Sequence, residues 1–96
     1  MILNAIILFV LLWSHGAAAD QFQIIDQEKD AAVRYARISV EGRDYYTDEM
    51  GRVSISGLDR GAYRASIAYG GDEIDITIQL TESDYLEQVY ISMPPN

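Results

Sequence analysis

Cysteine is absent from this chain, and histidine, tryptophan and lysine occur once each, as His15, Trp13 and Lys29. Proline occurs only as Pro94-Pro95. Each scarcity excludes something. Without cysteine there is no disulfide framework and no thiol chemistry. His15 lies in the apolar N-terminal segment, so the remainder of the chain has no Ser-His-Asp or Cys-His arrangement. Ordinary zinc sites, which need Cys or His ligands, are excluded on the same ground. No catalytic residue, metal ligand or cofactor-binding residue is therefore expected, and the chain reads as a non-enzyme. Paired carboxylates are the remaining chemical alternative. Asp72, Glu73 and Asp75 cluster at one turn, and Asp48 and Glu49 sit in another. Carboxylates in turns are mostly solvated or capping. They could offer oxygens to calcium, but no D-x-D-x-D-G spacing occurs. A Lys–Asn isopeptide would need Lys29 and Asn96, and neither falls inside a predicted strand.

Charge is lopsided. Asp and Glu number 15 against seven Lys and Arg, for a net charge of −8. A domain this acidic is repelled by phosphate backbones, so nucleic acid is not an expected partner. The acids also serve plain solubility. All of them lie after residue 19. Met1 to Trp13 (MILNAIILFVLLW) is uncharged, with Asn4 its one polar residue. Ser14-His15-Gly16 and then Ala17-Ala18-Ala19 follow. An apolar stretch of about 7 to 15 residues before an A-x-A site is the pattern of a cleavable signal peptide. It is short for a membrane span, which needs about 20 residues. The expected organisation is a signal peptide over residues 1–19 and one domain over 20–96, secreted or periplasmic. The membrane becomes a partner only if the leader is retained. No Lys or Arg precedes the apolar run, which departs from the usual leader.

From Phe22 onward the apolar period is two. Phe22 and Ile24 open a strand, with Ile25 on its other face. Gln27 to Asp30 is a polar turn. Ala36, Ile38 and Val40 alternate with Arg37, Ser39 and Glu41. Tyr45-Tyr46-Thr47 is a β-favouring run. Val53 and Ile55 alternate with Arg52, Ser54 and Ser56. Tyr63, Ala65, Ile67 and Tyr69 share one face, and Gly70-Gly71-Asp72 makes a hairpin back to Ile74, Ile76, Ile78 and Leu80. A last strand spans about Tyr85 to Ser92. Seven short strands without a helix predict an all-β, seven-stranded antiparallel β-sandwich of Greek-key, immunoglobulin-like type. Tyr63 and Tyr69 are core candidates.

The stretch from Thr47 to Tyr63 (TDEMGRVSISGLDRGAY) resembles the T-D-x-x-G-x-φ-x-φ-x-x-L-x-x-G-x-Y pattern of carboxypeptidase regulatory-like domains, where φ is apolar. The resemblance implies a prealbumin-like (transthyretin-like) sandwich. Its structural motif residues would be Asp48, Gly51, Leu58, Gly61 and Tyr63. Asp48 would cap a turn. Gly51 would take a left-handed conformation. Leu58 would plug the end of the sandwich, and Gly61 would allow a sharp re-entry. Tyr63 would pack its ring inside as a main core anchor, with its hydroxyl at the edge. Upstream, Lys29 to Tyr35 stands where the family has G-x-P, so the turn there differs. Such domains resemble accessory modules, which directs the functional expectation to a partner. That partner would be another extracytoplasmic protein, met by an accessory module of the cell envelope. The alternative is a carbohydrate-binding or adhesion module whose face is built on Tyr45 and Tyr46.

Overall fold

The computed structural model describes residues 19–83 and 85–94. The expected leader lies outside the described residues, apart from Ala19. Eight strand segments occur among the described residues, with no helix. They are β1 (Ala19–Asp26), β2 (Ala31–Ala32), β3 (Arg37–Val40), β4 (Arg43–Tyr46), β5 (Arg52–Ser56), β6 (Gly61–Tyr69), β7 (Asp72–Leu80) and β8 (Leu86–Ile91). Ala19, assigned by the sequence to the leader, opens β1 and pairs with Ser56.

Two sheets face each other across one core. In the first, β1 is central, with β5 and then β2 along one side and β8 along the other. The second has the order β4-β3-β6-β7 and is antiparallel throughout. The core draws on both: Phe22, Ile24, Val53, Ile55 and Ile91 from the first, and Ile38, Val40, Ala65, Ile67, Ile78 and Leu80 from the second. The period of two is the cause, since alternate residues of a strand point to one face. In β1 the buried set is Asp20, Phe22, Ile24 and Asp26, and Gln21, Gln23 and Ile25 face outward. Burying a side chain such as Phe22 or Ile38 contributes roughly 1.5–3 kcal/mol relative to leaving it exposed.

Two features depart from the expected seven-stranded antiparallel arrangement. First, β8 runs parallel to β1, from Gln21↔Leu86 to Asp26↔Ile91. The reason lies in a buried aspartate. Asp20, at the start of β1, accepts hydrogen bonds from the backbone N–H of Thr81 at 3.0 Å and of Glu82 at 3.3 Å. The chain leaving β7 is thus tied to the beginning of β1, and β8 sets out from that end in the same direction. Second, the Lys29–Tyr35 segment contains β2, which pairs Ala32 with Ile25 and Ala31 with Asp26. Period-two reasoning cannot see a two-residue strand.

Candidate functional site

The motif residues assemble one corner of the molecule. Asp48 Oδ1 accepts from the N–H of Met50 at 2.8 Å and of Arg52 at 2.9 Å, closing the β4–β5 turn. The Arg52 N–H, above all, holds the Asp48 carboxyl below the usual aspartate range; desolvation opposes it, and the Met50 N–H adds to it. Gly51 has φ 76°, and a Cβ there would stand 2.7 Å from the Ile24 carbonyl oxygen. That close approach lets the Ile24 N–H reach Gly51 O at 2.8 Å, while Ile24 O accepts from Val33 N–H at 2.9 Å. Glycine is therefore required twice over, by φ and by space. Leu58 and Tyr63 pack against the core, both half-buried, and the Tyr63 hydroxyl donates to Asp59 O at 2.7 Å. Tyr63 is thus a flank and not a main core anchor; Phe22, 2 % exposed, is the largest buried side chain. Gly61 opens β6 opposite Leu80 with φ 151°.

Thr47 belongs to the matched motif, but no reason for it is legible in the pattern. Its hydroxyl is buried, donates to Val33 O at 2.8 Å and accepts from Ala36 N–H at 2.8 Å. One side chain thus ties the β4–β5 corner to the segment after β2.

The tyrosines separate. Tyr45 and Tyr46 are neighbours in β4 and point to opposite faces, as strand geometry demands. Tyr45, opposite Ile38, packs against the core, and its hydroxyl donates to Ser56 O at 2.8 Å. Tyr46, opposite Arg37, is 63 % exposed. The two do not form a common face. Tyr69 is also exposed, contrary to its place among the core candidates, because it is the last residue of β6, one position from the Gly70-Gly71 hairpin. Instead Tyr46 and Tyr69 join Tyr35 around a shallow depression of about 500 Å³, whose other walls include Arg37 and Glu73. Tyr35 came from a segment without periodicity, so no pattern flagged it. It has φ 57° and is 70 % exposed. A left-handed conformation costs a residue with a Cβ roughly 1–2 kcal/mol.

Among the described residues, no three acidic or histidine side chains converge as metal ligands. Asp72 and Glu73 line the tyrosine depression, whereas Asp48 lines a different one and is spent on its turn. Asp75 lies opposite Ser66 on the outer face, and Glu49 is in the β4–β5 connection.

The sheet edges differ. β4 and β5 approach each other and close one side of the sandwich, but no comparable approach joins β7 and β8. β7 is nine residues long, pairs without interruption to β6, and bonds to no other described strand. Its inner residues Ile78 and Leu80 are buried, but Ile74 and Ile76 are only half-buried. No proline, lysine or bulge guards it, and those are the usual protections of an edge. The acids Glu73 and Asp75 stand along its outer face. No protein-family model and no curated protein matches the chain.

Proposed function

We propose that this protein is a non-catalytic, extracytoplasmic interaction module, secreted or periplasmic. In this reading it is a seven-stranded, prealbumin-like carboxypeptidase regulatory-like domain delivered by a cleaved signal peptide, with β2 a minor addition. Support for the family reading comes from the motif: Asp48 caps its turn, Gly51 is left-handed, and Leu58 packs against the core, as the resemblance implies.

The observation that carries the function is the bare β7 edge. A strand of nine residues that, among the described residues, pairs on one side only and carries two half-covered isoleucines is a template for an added strand. The partner is a protein whose extended segment pairs with β7 and covers Ile74 and Ile76. Glu73 and Asp75 select for basic residues at alternate positions of that segment, because opposite charges across a strand pair are favourable and like charges are not. The test is crosslinking in the native compartment followed by mass spectrometry, comparing the parent with the double variant Asp75→Lys, Thr77→Lys. A reproducible protein partner lost in the variant is the expected result. No reproducible partner, or one retained in full by the variant, would sink the reading.

A further inference from the structure

Arg37 and Glu73 lie on the outer face of the second sheet, in one cross-strand row with Tyr46 and Ala68. Arg37 reaches over the small Ala68 side chain toward Glu73, ending 4.0 Å from it, and both remain substantially exposed. At that distance most of the hydrogen-bonding capacity of each is free. A guanidinium carries five donors and a carboxylate about four acceptor positions. Donors and acceptors thus stand side by side in a depression that Tyr35 and Tyr46 also line, with Tyr69 at the end of β6 on its rim. We propose that this depression, which shares Glu73 with the start of the β7 edge, is a binding site for a neutral oligosaccharide.

The composition of the site distinguishes this ligand from others that favour tyrosine. A sugar hydroxyl both donates and accepts, so vicinal hydroxyls match an adjacent arginine and carboxylate. The C–H faces of the same sugar ring are apolar and lie flat on aromatic rings. A proline-rich peptide offers carbonyl acceptors but no backbone donor at proline, and would leave the Glu73 carboxylate unused. An anion would meet Glu73 and Asp72 as repulsive neighbours. A chain of sugars is favoured over a single one because Tyr69 also lines a second depression, of about 370 Å³, whose walls include Lys29, Arg34 and Glu49.

The backbone at Tyr35 is an independent observation. It is the one aromatic among the described non-glycine residues with positive φ. Being largely exposed, its ring contributes little to packing. Glycine would occupy that φ at no steric cost. Backbone strain of this kind clusters at functional sites, and at Tyr35 it coincides with the depression.

The experiment titrates the full-length protein with neutral gluco-, manno- and N-acetylglucosamine oligosaccharides, and with a decaproline peptide, following backbone amide NMR shifts. One of the oligosaccharides should move the amides of Tyr35, Tyr46 and the Tyr69–Glu73 hairpin. Tyr46→Ala and Tyr35→Gly should each weaken that binding at least about tenfold, and Tyr90→Ala, an exposed tyrosine on the other sheet, less than about twofold. Tyr35→Gly should at the same time raise the urea midpoint, so that its lost binding cannot come from unfolding. The proposal is overturned if no oligosaccharide moves those amides at millimolar concentration, or if decaproline does so in its place. Equal losses from Tyr90→Ala, or retained binding in both site variants, overturn it as well. None of these readouts depends on the partner at β7.

Discussion

The two long sides of this sandwich are finished differently. On the β4–β5 side, backbone and side-chain polar groups are tied down: Asp48 caps its turn, Thr47 spans two backbone groups, and Tyr45 bonds to Ser56 O. On the β7–β8 side, a nine-residue strand ends the sheet with no further described strand beyond it, and Ile74 and Ile76 are half-covered. The contrast teaches that a small domain without disulfides can tie down the backbone at one flank and leave a long strand edge unpaired, among the described residues, at the other. Interactions that order a corner also order the strands feeding into it. A free edge needs only to be held straight, and its uninterrupted register with β6 does that.

Variants sharpen the comparison. The largest effect is expected at the shared core. Phe22→Ala should cost about 3–5 kcal/mol in urea melts, because it removes the largest buried side chain and leaves a cavity between the sheets. A loss below about 1 kcal/mol would mean that the sheets are not packed through Phe22. On the closed side, Thr47→Val preserves shape but strips the hydroxyl. The Ala36 N–H then loses its buried acceptor, and the cost should be about 1–3 kcal/mol.

Asp48 offers a pH-dependent version of the same test. Its carboxyl titrates below its unfolded value in the folded state, so the stability it contributes is present above the unfolded pKa, near 3.9. That contribution is lost as pH falls through the lowered folded value. The melting midpoint of Asp48→Ala should therefore lie below the parent's at about pH 6, and the gap should narrow as pH falls through the lowered folded value. A gap independent of pH would assign the role of Asp48 to packing. The smallest effect belongs to the open side. Asp75→Ala should change stability by less than about 0.5 kcal/mol, since Asp75 faces outward from an edge strand with no partner in the fold. A collapse there would reverse the strand faces.

Much of this was legible because a β-sheet writes its burial directly into alternate residues. The inward sets Phe22-Ile24, Ile38-Val40, Val53-Ile55 and Ile78-Leu80 are the alternating apolar runs themselves. The turn chemistry of Asp48 and Gly51 was equally readable, because both act within a few residues of their partners. What depends on distant pairing was not. The parallel β8 follows from Asp20 holding the Thr81 N–H, a bond between residues 61 positions apart. Periodicity also assigns Tyr69 to the inner face, correctly by parity, but cannot say that the facing sheet fails to cover the end of β6. For the tyrosines, adjacency in sequence favours Tyr45 with Tyr46, whereas a pleated strand separates neighbours and the fold brings Tyr35, Tyr46 and Tyr69 to one depression from three places.

The central claim is that association takes place on the β7 side and not on the β4–β5 side. The most direct measurement places a photo-crosslinking residue at one of two exposed positions, Thr77 in β7 or Ser54 in β5, in protein produced in its own cells. Irradiation should give a reproducible protein adduct from Thr77 and none from Ser54. An adduct from Ser54 alone, equal adducts from both, or none from either would contradict the account.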